Sequence, residues 1–144
     1  MSSTCYLGLG SNLSNPSKQI YQAIHNLKLI PNSNVEKISS LYRTKPIGNI
    51  QDQPDFINAV LQLHTTLSPL HLFQQLEAIE KNLDKNTKVH WGPRKIDLDI
   101  LLYDDLRVNS INLTIPHKHM LERAFVVIPL FEIAPQLILP NGNP

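Results

Sequence analysis

The stretch from 90 to 105 (HWGPRKIDLDILLYDD) restricts the fold of this chain more than any other part of the sequence. After a turn signal at 91–93, apolar and polar residues alternate, which is typical of a half-buried β-strand. The apolar residues that this period places on one side of the strand are Ile96, Leu98, Ile100 and Leu102. Asp97 and Asp99 are predicted to share the opposite side, so the strand presents two carboxylates on one face and a packed layer on the other.

The two aspartates suit a metal ion. Carboxylates two residues apart on a strand lie roughly 7 Å apart at their Cα atoms and point the same way. Mg²⁺ is commonly held by one or two carboxylates together with waters and substrate phosphates. A solvated edge-strand face explains an isolated Asp-x-Asp equally well. Three neighbouring features favour a metal and phosphate site: the adjoining Trp91, the guanidinium of Arg94, whose geometry matches a phosphate, and the uninterrupted apolar face.

Composition limits the classes of protein to which the chain belongs. With 144 residues and 42% hydrophobic content, it is predicted to form a single domain over 1–144. The net charge of +1 provides no field for binding nucleic acid or an anionic membrane. The lone Cys5 is expected in the core, the first residues lack a signal-peptide pattern, and no apolar run approaches membrane-spanning length. We expect a cytoplasmic monomer without nucleic-acid or membrane partners.

Strand and helix patterns alternate along the rest of the chain. Strands are predicted at Thr4–Gly10, at Val35–Arg43 and from Asp55 to Thr66. Two helices are predicted because each start combines an N-cap residue with proline at the first helical position. They run from Asn15-Pro16 to the turn at 31–33, and from Ser68-Pro69 to about Leu83.

The pattern is weaker after the central strand. A turn at 104–105 precedes a short return strand at Leu106–Val108 and an extended segment at Leu113–His117. Met120–Ile128 is predicted to be helical, with Pro129 interrupting the helix and Leu130–Ala134 resuming the apolar pattern. The order of elements predicts an α+β fold: a ferredoxin-like βαββαβ core with a mainly antiparallel sheet, helices on it and a C-terminal helical extension.

Two motifs near the strands allow more than one interpretation. Phe56 and Asn58 share a face, where a ring and an amide can bind a flat heterocycle; a core aromatic beside a structural amide is equally common. Gly8-x-Gly10 lacks the third glycine of a phosphate-binding turn, so a tight strand exit is the preferred explanation and no function is assigned.

Three polar features lie outside the strands. Glu80 is near the end of its helix, where a carboxylate opposes the helix dipole, so we expect a partner elsewhere. His117 and His119 lie in a basic turn without Cys or an acidic cluster, which favours a phosphate contact over a zinc site. The loops 44–54 and 84–90 carry no apolar period and are predicted to be mobile covers.

Seven short motifs occur in one order along nearly the whole chain. They are GSNL (10–13), YRT (42–44), QPDFIN (53–58), WGPR (91–94), DLDI (97–100), IPH (115–117) and PLFEIAP (129–135). In this order and spacing they resemble the 6-hydroxymethyl-7,8-dihydropterin pyrophosphokinase family of the folate pathway. The resemblance implies that the hydroxymethyl oxygen of the pterin attacks the β-phosphorus of ATP, that AMP leaves, and that the pterin gains a diphosphate.

The same resemblance implies roles for particular residues. Asp97 and Asp99 would hold two Mg²⁺ ions, and Arg94 and Lys85 would be the other catalytic residues. The residues that would bind the pterin, with the two phenylalanines stacking on its two sides, are Thr44, Lys45, Ile47, Phe56, Asn58, Trp91 and Phe125. The residues that would line the ATP site are Glu80, Arg94, Ile100, Asn112, Thr114, His117, Lys118 and Arg123.

The chain departs from the family pattern in its basic residues. Where a run of arginines usually precedes WGPR, it carries Lys85, Thr87 and His90, so the loop that should hold the phosphates is less strongly charged. Lys45 and Lys118 also stand where other residues are expected.

Two other classes of protein use part of the same features. A ligand-binding regulatory module suits the fold but needs no Asp-x-Asp motif. A two-metal phosphohydrolase or nuclease uses Asp97 and Asp99 but gains little from paired aromatic side chains. Only the kinase makes AMP release strictly dependent on the pterin.

Overall fold

The computed structural model describes residues 2–12, 15–44, 55–84, 96–118, 120 and 124–138. In chain order, the elements are β1 (Ser3–Ser11), α1 (Pro16–Leu27), β2 (Ser33–Ile38), β3 (Tyr42–Thr44), β4 (Phe56–Thr65), α2 (Pro69–Asp84), β5 (Asp97–Tyr103), β6 (Val108–Asn109), β7 (Thr114–Ile115) and α3 (Ala124–Ile133). The loops predicted to be mobile covers lie almost entirely outside the described residues.

The main sheet has the order β2-β4-β1-β5, and β3 also pairs with β4. Every one of these pairings is antiparallel. Strands β6 and β7 form a separate antiparallel pair. The predicted α+β class and antiparallel sheet are therefore confirmed, whereas the ferredoxin-like assignment stays a prediction. In the described sheet β5 is an edge strand, and it is the strand that carries the two aspartates.

One face of the sheet packs against α1 and α2, and we call it the α1/α2 face. Its buried strand residues are Cys5, Leu7, Leu9, Ile57, Ala59, Leu61, Leu63, Leu98, Ile100 and Tyr103. The helices contribute residues with helical spacing, among them Ile20, Ile24, Leu72 and Leu76. Both helix starts follow the prediction: Asn15 Oδ1 accepts from Lys18 N at 3.5 Å, and Ser68 Oγ accepts from His71 N at 3.2 Å.

The opposite face, which we call the α3 face, is divided along its length. Near one end, α3 covers a second buried cluster made of Tyr6, Val60, Leu101, Leu102, Met120, Val126, Leu130 and Ile133. Towards the other end the same strands present Gly10, Asn58, Asp97 and Asp99. Polar side chains are therefore grouped on this half of the α3 face.

A β-bulge in β5 corrects one prediction. Tyr6 pairs with Leu102 but Leu7 pairs with Ile100, so Leu101 is the extra residue. The insertion shifts the alternation by one, and Leu102 therefore joins the cluster beneath α3 instead of sharing a side with Leu98 and Ile100. The prediction that Leu102 belongs to the same layer as those residues is wrong, because strict alternation holds only up to the bulge.

The predicted strand Val35–Arg43 is two strands, β2 and β3, which both pair with β4. Between them, Ser39 exchanges hydrogen bonds with Val60: Ser39 N donates to Val60 O at 2.8 Å, and Val60 N donates to Ser39 Oγ at 2.9 Å. A serine hydroxyl thus replaces a backbone carbonyl in the ladder, which ends regular pairing at this point.

Pro129 lies inside α3 and does not interrupt it, contrary to the prediction. Proline in a helix interior costs about 3 kcal/mol. Fully burying one aliphatic side chain contributes about 1.5–3 kcal/mol, and α3 buries Val126, Leu130 and Ile133 in the cluster beneath it. Packing of these three side chains outweighs the lost hydrogen bond. In the described part of the chain, no helix is long and apolar enough to cross a membrane.

Candidate active site

One row of residues crosses the α3 face from β3 to β5. The strand register pairs Tyr42 with Asn58, Asn58 with Gly10, and Gly10 with Asp97. Since Gly10 has no side chain, Asn58 and Asp97 stand on either side of a gap two strand spacings wide, which is roughly 9.5 Å. The side chain of Asn58 extends into this gap, because its Oδ1 lies 2.9 Å from the position that a Cβ atom of residue 10 would take.

Asp97 and Asp99 face outwards from β5, as the alternation predicted. Both residues are exposed, and the side chain of Asp99 retains 50% of its accessible surface. Their neighbours Leu98 and Ile100 are buried on the α1/α2 face. Exposed carboxylate oxygens on one surface fit a hard cation such as Mg²⁺, which keeps several waters and substrate oxygens in its shell. Within the described ranges, no three His, Cys, Asp or Glu side chains assemble into a closed metal cage.

His117 approaches the aspartates from the segment after β7. Its Nε2 lies 3.8 Å from Asp99 Oδ2, a distance at which a protonated imidazole forms an ion pair. The backbone fixes this approach, because His117 N donates to the carbonyl of Leu101, the bulge residue, at 3.0 Å. The bulge thus both shifts the packing of β5 and holds the histidine beside the carboxylates.

Glu80 reaches the same strand from α2. Leu98 N, which lies between the two aspartates, donates to Glu80 Oε2 at 3.2 Å. Among the described strands, none lies beyond β5 to pair with this backbone donor, so a carboxylate is a suitable acceptor. The expectation that Glu80 has a partner outside its own helix is confirmed.

Asn58 and Thr44 form the other wall of the gap. Asn58 is 6% exposed, and its Nδ2 donates to Thr44 Oγ1 at 2.9 Å. Phe56, half-buried, pairs with Thr44 across the ladder and shares the face of Asn58. The hydrogen bond fixes the orientation of a buried amide, and it leaves Asn58 Oδ1 on the side of Gly10.

A carboxylate on α3 holds the strand that carries Thr44. Both oxygens of Glu132 accept from Ser40 N at 3.0 Å. In addition, Oε2 accepts from Ser40 Oγ at 2.9 Å and Oε1 accepts from the Tyr42 hydroxyl at 2.5 Å. We call these contacts the Glu132 tether. Donation from Tyr42, with smaller contributions from Ser40, lowers the pKa of the Glu132 carboxyl. The same hydrogen bond is the main reason that the pKa of Tyr42 is raised.

The structure places the other predicted site residues as follows. Ile100 is buried on the α1/α2 face, away from the carboxylates. Asn112, Thr114 and Lys118 are exposed around β7, and Phe125 is in the first turn of α3. The predicted residues that lie outside the described ranges are Lys45, Ile47, Lys85, Trp91, Arg94 and Arg123.

Sequence reasoning missed Gly10 and the Glu132 tether. Gly8-x-Gly10 is not a strand exit, because both glycines lie within β1 and pair on both sides. The sequence signal that could have identified Gly10 was its position inside an apolar strand, because a glycine there often marks a close approach of another group.

Cys5 is no candidate nucleophile, since burial and the charge of Asp104 raise the pKa of its thiol to about 12.

Comparisons with known proteins give matches over most of the chain. A family model described as 7,8-dihydro-6-hydroxymethylpterin-pyrophosphokinase matches residues 6–135. A Haemophilus influenzae protein named 2-amino-4-hydroxy-6-hydroxymethyldihydropteridine pyrophosphokinase is 46% identical over 97% of this chain and 87% of its own length. A Pseudomonas aeruginosa protein of the same name is 43% identical over 96% of this chain and 85% of its own length.

Solved structures match in fold. A crystal structure of a Plasmodium falciparum HPPK-DHPS triple mutant covers 94% of this chain with a TM-score of 0.72 and 15% sequence identity. This chain spans 40% of that longer protein. At such low identity the match concerns the arrangement of helices and strands alone.

Proposed function

Because the chain belongs to the 7,8-dihydro-6-hydroxymethylpterin-pyrophosphokinase family, and so transfers the diphosphate of ATP to this pterin in folate biosynthesis, we propose that its site is the gap at Gly10. The observation that carries this proposal is the row Asn58, Gly10 and Asp97, which places an amide and a carboxylate on one surface with a glycine between them. The pterin ring lies against Asn58 and Thr44, and its hydroxymethyl oxygen points towards Asp97 and Asp99.

We propose that the two aspartates bind Mg²⁺, two ions being expected. When bound, Mg²⁺ neutralises phosphate charge, on which phosphoryl-type transfer depends strongly. Asp97 and Asp99 contribute the protein oxygens, and Glu80 keeps them in place through the backbone of Leu98. His117, when protonated, can donate to a phosphate oxygen from its position beside Asp99.

The remaining roles follow from the family resemblance. We propose that Phe56 and Phe125 stack on the pterin, with Lys45, Ile47 and Trp91 around it. The residues proposed to contact ATP are Lys85, Arg94, Ile100, Asn112, Thr114, Lys118 and Arg123. Since Ile100 is buried on the α1/α2 face, we assign its contact to the backbone. The reaction needs positioning of the hydroxymethyl oxygen in line with the β-phosphorus of ATP, and AMP leaves as the new P–O bond forms.

We also propose that residues 1–144 form one domain that acts as a monomer in the cytoplasm. Two observations support this: the described helices all pack on the main sheet, and the single cysteine is buried and free. Light scattering during gel filtration measures the oligomeric state directly.

The decisive experiment measures AMP release with ATP, Mg²⁺ and 6-hydroxymethyl-7,8-dihydropterin, omitting each component in turn. We expect AMP only when all three are present. Asp105→Asn is the matched control for Asp97→Asn, because it removes the same charge from an exposed turn at the far end of β5. AMP release without the pterin would indicate a phosphohydrolase, and full activity of Asp97→Asn would remove this residue from the metal site.

A further inference from the structure

Gly10 occupies a position where a side chain would collide with a proposed binding residue. A Cβ atom at position 10 would lie 2.9 Å from Asn58 Oδ1, a separation that real Cβ atoms almost never show. The amide oxygen of Asn58 therefore fills the volume that any other amino acid at position 10 would need. Gly8, two residues earlier, differs: its nearest neighbour would be the apolar Leu101 Cδ2 at 3.4 Å.

Asn58 cannot simply move aside. It is 6% exposed and donates through Nδ2 to Thr44 Oγ1 at 2.9 Å. A rotation that relieves the collision would break this bond and leave a buried amide without its partner, which is costly. The amide is thus held from one side by Thr44 and has room for its oxygen on the other side only because residue 10 is glycine.

We propose that Gly10 is a positioning residue for pterin recognition: its missing side chain lets Asn58 Oδ1 lie over β1, where it accepts from an N–H of the aminopyrimidinone edge of the substrate. This inference rests on the proposed function and adds a residue that contacts the ring only through Asn58. The ring needs an acceptor at a fixed place, since a donor of the substrate left unpaired in a closed site lowers affinity strongly.

The test compares Gly10→Ala with Gly8→Ala. Both add one methyl group to the same face of β1, but only the first meets Asn58 Oδ1. We expect Gly10→Ala to raise the KM for the pterin about tenfold, the loss of one sheltered hydrogen bond, while the KM for ATP changes less than about twofold. Gly8→Ala should keep both KM values near those of the wild type.

A double-mutant cycle identifies Asn58 as the intermediary. In an Asn58→Ala background the collision is absent, so Gly10→Ala should change the pterin KM less than about twofold further. If Gly10→Ala alone does not fold, the double variant must fold, because the removed amide makes room for the methyl group. An additive effect of the two substitutions, an equal effect of Gly8→Ala, or an unfolded double variant would overturn the proposal.

The proposed function fails in a different way. If the wild-type protein releases no AMP with the pterin, the function is wrong whatever the glycine variants do. The position of Asn58 is then still measurable without activity, from the side-chain amide resonance of Asn58 in nitrogen-15 spectra. We expect this resonance to shift in Gly10→Ala and to keep its wild-type position in Gly8→Ala.

Discussion

The two faces of the sheet use the same strands for opposite purposes. The α1/α2 face carries the main apolar core and is covered by two helices. The α3 face is apolar only beneath α3, and beyond it carries a glycine, an amide and two carboxylates. Neighbouring residues on one strand, such as Leu98 and Asp99, therefore lie in a packed core and on a polar surface respectively.

This division has a structural consequence for the site. The strands are held by packing on the α1/α2 face, so the two exposed aspartates on the other face need no burial to be fixed in position. Three irregular features of the fold, namely the bulge at Leu101, the glycine at position 10 and the Glu132 tether, lie on the α3 face.

The largest effect should come from the aspartates. We expect Asp97→Ala and Asp99→Ala each to abolish turnover, by about 10³-fold or more, because the site loses an oxygen ligand for the metal. The unfolding temperature should change little, since both residues are exposed. Steady-state kinetics and thermal melts measure the two quantities. Near-wild-type turnover of either variant in Mg²⁺ would remove it from the metal site, and a large loss of stability would contradict the separation between the faces.

The α1/α2 face should show the reverse. Leu61 is fully buried in the main core, and Leu61→Ala should lower the free energy of unfolding by about 2–5 kcal/mol. In the fraction that remains folded, kcat should be close to that of the wild type. Leu29→Ala is the matched control, because this leucine is 66% exposed and the substitution should change stability by less than about 0.5 kcal/mol. Urea unfolding curves measure both free energies of unfolding, provided that the slope of the transition is unchanged. Equal stability of the two variants would contradict the expected difference between buried and exposed leucines.

The sequence predicts the α1/α2 face much better than the α3 face, for a physical reason. Periodicity reports burial, so it places Leu98 and Ile100 inside, Asp97 and Asp99 outside and Cys5 in the core. Periodicity does not reveal an inserted residue. The side of the sheet predicted for Leu102 is therefore wrong, because the bulge at Leu101 comes before it.

Tertiary contacts explain the remaining differences. Ser40 and Glu132 are 92 residues apart in the chain, and Ser39 ends a strand by bonding to Val60 of another. Such partners have no local signal. The motif resemblance predicted Asn58 and Thr44 as pterin-binding residues. It could not predict the space that Gly10 provides for them, because that space depends on a distance between two strands.

A smaller effect is expected from the Glu132 tether. Glu132→Gln weakens the hold on Ser40 and Tyr42, and therefore on the strand that places Thr44 beside Asn58. Because the contacts are exposed, we expect the pterin KM to rise only several-fold, with kcat and the KM for ATP nearly unchanged. Tyr42→Phe should act in the same direction, and the double variant should be no worse than Glu132→Gln alone. Glu77→Gln on α2 is the control for loss of a carboxylate, and an equal rise in its pterin KM would contradict a specific role for the tether.

The smallest effect should be the pH dependence of the same tether. The pKa of Glu132 is lowered from 4.5, so its stabilising contribution is present above 4.5 and is lost as the pH falls through the folded-state value. The pKa of Tyr42 is raised from 10.0, so its contribution is present below 10.0 and is lost as the pH rises through the folded-state value. The difference in stability between wild type and Glu132→Gln should therefore be constant between these limits and shrink outside them.

Urea unfolding of both proteins from pH 3 to pH 11 measures this difference, and the carboxyl carbon resonance of Glu132 follows its protonation directly. The difference in stability is expected to be small because solvent screens an exposed carboxylate. The test is therefore how this difference changes with pH, and not how large it is. Raising the salt concentration should alter it only modestly, since the carboxylate is held by hydrogen bonds to neutral donors, Ser40 and Tyr42, and not by an ion pair. A difference that stays constant down to pH 3, or one that disappears in high salt, would mean that the tether does not hold β3 against α3 in solution.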